Sequence, residues 1–163
     1  LSECSDLNLF IFAGWKIFKG LVGISYVINR NFVERLIKDI YDSIESIREI
    51  TSKDFESMSK AERLAVRYNI ITISESLSAL ILHIVRKMLN ESPDNVHEAL
   101  ILLEERKFIG RTEREEISGL MRLRNILVHR YWIVDDYLVY QNVKEDFEIV
   151  EKLIERIRDE FGV

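Results

Sequence analysis

From position 31 onward, apolar residues recur every three to four positions, the spacing that puts them on one face of an α-helix. Asn31 and Glu34 read as an N-cap with its capping-box partner. Phe32, Val33, Leu36, Ile37, Ile40, Ile44 and Ile47 then form one stripe to about Glu49. The polar run Thr51 to Met58 breaks the period. Ser59 and Glu62 form a second capping box, which opens a long helix through Leu64, Ile71, Ile73, Leu77, Leu80, Ile81, Ile84, Val85 and Met88. Ser92-Pro93 predicts a third helix with proline at its first position, where the missing N–H is not needed. Gly110 closes that region, and Thr112 with Glu115 caps a fourth helix running into Arg124–Tyr131. Asp135 and Asp136 mark a break. Asn142 and Glu145 then open a last helix with Phe147, Val150, Ile154, Ile157 and Phe161 on its apolar face. No stretch alternates with the period of a strand. The pattern predicts an all-α fold: an antiparallel up-and-down bundle of four to five helices, with an additional apolar helix at the N-terminus.

That extra segment, Leu7 to Ile28, is apolar almost throughout and, at 22 residues, long enough to span a bilayer. Lys16 and Lys19 interrupt it, and each would cost about 2.5–3.5 kcal/mol at a bilayer centre. Glu3 and Asp6 stand where a signal peptide carries positive charge, and the chain starts with Leu. Three readings stay open: a helix packed on the domain or in an oligomer, a membrane-associated segment, or an extension from an early start. The organisation expected is an apolar extension over 1–30 and a helical bundle over 31–163.

Composition narrows the class. A single proline and six glycines argue against the many tight turns of a β-sandwich. Cys4 is the one cysteine, so there is no disulfide framework and no cysteine-based zinc site, which fits a reducing cytoplasm. The net charge of −5 argues against indiscriminate coating of nucleic acid. Any RNA contact has to be local.

One place offers such a contact. Arg124-Asn125-Ile126-Leu127-Val128-His129-Arg130-Tyr131 gathers guanidinium, amide, imidazole and phenol in eight residues, and Met121 to Trp132 carries Arg122, Arg124 and Arg130 without an acid. Two readings fit. One is a helix end whose basic residues complement the macrodipole. The other is a phosphate-binding site. On a helix, Asn125 and His129 share a face, so the amide can orient the imidazole. Arg124 and His129 are five apart, about 140° around an ideal helix. They meet on one phosphate if the helix end distorts or if a second copy completes the site, and a cleft between two protomers is the favoured arrangement. RNA cleavage then needs little more. An imidazole ordinarily exchanges its proton near neutral pH, so a histidine such as His129 can serve as base or acid around the 2′-hydroxyl and the leaving oxygen, while Arg124 holds the phosphoryl oxygens. The scheme calls for no metal or cofactor, and the sequence shows no metal-ligand cluster.

The Arg124-x4-His129-x-Tyr131 spacing, with Asn125 after the arginine and Arg130 before the tyrosine, resembles the signature of the HEPN superfamily, and more closely that of HepT-like toxins. The resemblance covers about Phe32 to Phe161. It implies a homodimeric helical bundle whose facing motifs form a metal-independent endoribonuclease site. It also implies a partner, an MNT-type nucleotidyltransferase antitoxin that adenylylates the motif tyrosine, here Tyr131. Bulky anionic AMP beside His129 would repel an RNA phosphate. The resemblance further suggests an acidic residue on the second helix near the site, for which Glu75 is the candidate, although Ser74 stands where family members often carry glycine.

The other polar and aromatic positions have plainer readings. His83, on the apolar second helix without an acidic or histidine partner four residues away, reads as a structural histidine. His97 reads as exposed. Trp132 and Tyr137 could stack on a base, but packing against a neighbouring helix is the favoured expectation. The charges from Glu151 to Glu160 read as the solvated side of the last helix. The leading function is therefore a ribonuclease toxin. The alternative is a non-catalytic dimer that docks, or binds nucleotide for, the same transferase.

Overall fold

The computed structural model describes residues 28–143 and 147–163. Among them are six α-helices and no strand. They are α1 Arg30–Ile50, α2 Lys60–Met88, α3 Val96–Glu105, α4 Arg111–His129, α5 Asp136–Val143 and α6 Glu148–Phe161. Short 3-10 turns, Phe55–Ser57 and Tyr131–Ile133, precede α2 and α5. The all-α bundle is as the periodicity predicts, with one helix more than expected. The N-terminal apolar helix lies outside the described residues except for Ile28, which packs partly buried against the core.

The pairing of α1 with α2 dominates the packing, and α3 and α4 close on the rest of α2. The α1 face of Val33, Leu36, Ile37, Ile40, Ile44 and Ile47 is buried. Across it lie Ile70, Ile73, Leu77, Leu80, Ile81 and Ile84 of α2, each 0% exposed. Because α2 has neighbours on several sides, its buried residues run around the helix in place of a single stripe. Its N-terminal part escapes this cover. Leu64, expected on the apolar face, is 51% exposed. Among the described residues α2 is the helix long and apolar enough to cross a membrane, and its burial in this bundle makes it a core helix.

Capping chemistry explains where the helix starts depart from expectation. The Ser59–Glu62 box forms as read: Glu62 N–H donates to Ser59 Oγ at 3.2 Å, and Ser59 N–H to the Glu62 carboxylate at 2.8 Å. The α1 cap is Asn29, not Asn31, its side chain accepting from Phe32 N–H at 3.1 Å. Pro93 is buried in the loop before α3, and Asn95 caps that helix in place of Ser92-Pro93. At α4 the carboxylate of Glu113 reaches back to Gly110 N–H at 2.7 Å, so the helix starts before Thr112. Glu115 is instead engaged by Arg111.

The Asp135-Asp136 break is also a helix start. The Asp135 carboxylate accepts from the N–H groups of Tyr137 and Leu138 at 2.9 and 3.3 Å, which nucleates α5. Asn142 therefore belongs to α5 and does not open the last helix, which begins at Glu148 after the buried Phe147. Glu145 lies outside the described residues. On α6 the charged side is not wholly free, since Arg48 of α1 grips Glu151 through both guanidinium nitrogens at 2.9 Å.

Candidate functional site

The motif occupies the last turns of α4 and the turn beyond it. Ile117 and Leu127 are buried, which fixes the rotation of the helix on the bundle. The opposite side, with Arg122, Asn125, Ile126 and His129, is exposed. The helix stays regular through His129. Arg130 then leaves helical geometry at φ −137°, ψ 34°, while its N–H still bonds Ile126 O at 2.8 Å. The 3-10 turn starting at Tyr131 redirects the chain into α5.

Arg124 points back into the bundle. Its guanidinium pairs with Glu75 of α2 and donates to Asn125 Oδ1 at 3.0 Å, and its side chain is only 29% exposed. Its Nε–H is buried without a hydrogen-bond partner among the described residues. Glu75 thus lies beside the motif, attached to its arginine. His129 lies on the outer side, at an open pocket of about 410 Å³ lined by Asn125, Ile126, His129 and Arg130. Asn125 shares that pocket with His129 as the four-residue spacing predicts, but its oxygen is held by Arg124 and makes no hydrogen bond to the imidazole. With α4 undistorted, Arg124 and His129 of one chain face different ways.

A residue that sequence reasoning misses holds the rear of the site. Arg67 of α2, half-buried, donates from Nε to Asp136 at 2.6 Å and from its terminal nitrogens to the carbonyls of Tyr131 and Val134 at 3.0 and 3.3 Å. All three guanidinium nitrogens are spent on pinning the turn that carries Tyr131. Its partners are 64 to 69 residues away, so no local motif marks it; the one hint in the sequence is a lone cation between the apolar Val66 and Ile70.

The pinned turn presents its side chains outward. Tyr131 is 61% and Trp132 69% exposed, their rings edge to face at 5.4 Å. Trp132 therefore does not pack against a neighbouring helix, contrary to expectation. Tyr137 does pack, against Phe55 and Tyr140. His97 is exposed as read. His83 is half-buried on α2, edge to face with Phe32, and its Nε2 has no hydrogen-bond partner among the described residues. Burial, and secondarily Lys87 and Arg86, push its pKa below the usual histidine value.

The described residues thus form an all-helical bundle in which the Arg124-x4-His129-x-Tyr131 sequence closes α4 and enters the turn beyond it. Residues 37–157 match the family model for HepT-like ribonucleases, and the chain belongs to that family. An Archaeoglobus fulgidus protein named "Putative RNase" is 30% identical over 129 residues, covering 77% of this chain and 92% of that protein. Two solved structures share the fold. The tri-AMPylated Shewanella oneidensis HEPN toxin in complex with MNT antitoxin superposes with a TM-score of 0.72 at 21% identity, covering 80% of this chain and 98% of that one. The cytosolic protein YutE of Bacillus subtilis superposes with a TM-score of 0.69 at 17% identity, covering 82% and 91%.

Proposed function

We propose that the protein is a metal-independent endoribonuclease toxin, acting in the cytoplasm as a homodimer and silenced by a nucleotidyltransferase partner. The observation that carries this reading is the exposed His129 imidazole at the open pocket, with the Glu75-anchored Arg124 behind it on the same helix. Since one chain directs the two groups apart, the site is composite: two copies meet at the ends of α4, and Arg124 of one copy faces His129 of the other. There His129 takes the 2′-hydroxyl proton, and the 2′-oxygen attacks the adjacent phosphorus as the bond to the 5′-oxygen breaks. The imidazolium returns the proton, through water, to the departing 5′-oxygen. Arg124 balances the charge on the phosphoryl oxygens, and Asn125 and Arg130 line the pocket that receives the nucleotide. The products are a 2′,3′-cyclic phosphate and a free 5′-hydroxyl.

Silencing acts at Tyr131. Its exposed phenol attacks the α-phosphorus of ATP in the transferase, pyrophosphate leaves, and AMP fills the space beside His129. The exposed Trp132, Ile133 and Leu138 next to it suit a protein partner, which supports the transferase as the bound antitoxin. The same surface is what a non-catalytic docking subunit would need, so cleavage must decide between the two readings.

The deciding experiment is RNA cleavage in EDTA by wild type, Arg124→Ala and His129→Ala, after the intact mass of each has been measured. Unmodified wild type is expected to cut. Loss of the general base or acid lowers the rate by about 10²–10⁴-fold in His129→Ala, with the fold retained. Unmodified, folded wild type that cuts none of a broad RNA panel would establish the docking subunit instead.

A further inference from the structure

The outer side of α4 carries more than the His129 pocket. Arg122, Asn125, Ile126 and His129 follow at steps of three, one and three residues, so they form one stripe along the helix, and Arg130 continues it past the helix end. All five residues are exposed. Several other arginines are committed to carboxylates, Arg67 to Asp136, Arg111 to Glu115, Arg114 to Glu104, Arg124 to Glu75 and Arg156 to Glu113, while the exposed Arg30, Arg35, Arg86 and Arg158 on other helices make no ion pair among the described residues. Among the described residues, Arg122 and Arg130 have no ion-pair partner. The chain holds 28 acidic against 23 basic residues, yet none of the acids lies between Ile117 and Val134. The side of α4 where His129 opens is therefore a locally positive strip on a protein whose net charge is −5.

We infer that this stripe is a phosphate track for single-stranded RNA, with Arg122 and Arg130 gripping backbone phosphates on either side of the linkage held at His129. The inference rests on the ribonuclease reading above. Guanidinium suits the task because its planar fork takes two phosphoryl oxygens at once. Seven residues of helix separate Arg122 from His129 by about 10.5 Å, the length of about three stacked nucleotides. Arg122 thus binds substrate outside the cleaved linkage, whereas Arg124, tied to Glu75, serves the linkage itself. A polyanion fits the stripe better than a protein does. Its members are two guanidiniums, an amide, an imidazole and one isoleucine, while the larger apolar side chains sit beyond the helix end on the 131–133 turn.

The test is binding of a fluorescently labelled single-stranded RNA 12-mer by the cleavage-deficient His129→Ala protein, alone and combined with Arg122→Ala, Arg130→Ala or both, across a salt series. Removing one phosphate-binding arginine lowers the slope of log affinity against log salt by about 0.7 for a single strand. Raising salt fourfold, from about 50 to 200 mM, should then weaken the parent about 2.6-fold more than either added variant. Arg111→Ala, at the far end of the same helix, should leave the slope unaltered. An unchanged slope in Arg122→Ala, or no RNA binding by the parent, overturns the track. If Arg122→Ala spares RNA binding but weakens capture of the purified nucleotidyltransferase, the stripe belongs to that partner. Wild type that binds RNA with the predicted slopes yet cuts none would leave the track standing and remove the ribonuclease reading. Cleavage with unchanged slopes would do the reverse.

Discussion

At the scale of single residues, the motif separates into groups with different surroundings. Arg124 is half-buried and ion-paired, His129 opens on a pocket, and Tyr131 stands out on a turn whose backbone Arg67 holds. These surroundings imply different sensitivities. Tyr131→Phe keeps the ring and its edge contact with Trp132, and the phenol oxygen makes no hydrogen bond among the described residues, so stability should change by less than about 0.5 kcal/mol. Incubated with the transferase and ATP, it should gain no AMP and stay active. Labelling of the phenylalanine variant at full stoichiometry, read by intact mass, would move the modification to another residue. Residue identity and spacing alone bring Arg124, Asn125, His129, Arg130 and Tyr131 forward as candidates, because those signals are local. Arg67 left no such signal, since its partners come from a distant part of the chain.

At the scale of elements, the period of apolar residues located the helices while their ends depended on which side chain won each cap. Three starts shifted because a nearby residue reached the free N–H groups first: Asn29, Asn95 and, through its carboxylate, Glu113. The Ser59–Glu62 cap of α2 gives a pH prediction. Glu62 accepts from Lys53 and from both the backbone and the hydroxyl of Ser59, which hold its pKa down at about 2 against an ordinary 4.5. A carboxylate whose pKa is lower folded than unfolded stabilises the fold fully above the unfolded value, and that stabilisation fades as pH falls toward the folded one. Denaturant melts of wild type and Glu62→Gln should therefore differ most above pH 4.5 and converge as pH approaches about 2. A gap that stays constant over that window would detach the effect from the ionised carboxylate.

At the scale of the whole molecule, the site is a problem of assembly. Within one chain the bundle sends Arg124 toward α2 and His129 toward solvent, so the composite site proposed above calls for two copies. Mixing inactive Arg124→Ala with inactive His129→Ala tests this directly. Random pairing makes half the dimers mixed, and each mixed dimer holds one of its two Arg–His sets intact, giving roughly a quarter of wild-type activity under two-fold symmetry. If the mixture stays dead while subunits demonstrably exchange, both groups act from one chain. The sequence by itself determined the all-helical bundle, its long central helix and the cluster of reactive groups, because helical periodicity and motif spacing are written within a few turns of chain. Only the tertiary structure decided that Glu75 holds Arg124, that Arg67 pins the Tyr131 turn, and that Arg122 shares the open side of α4 with His129. The first two are contacts between elements far apart in sequence, and the third depends on how burial of Ile117 and Leu127 rotates α4 on the core.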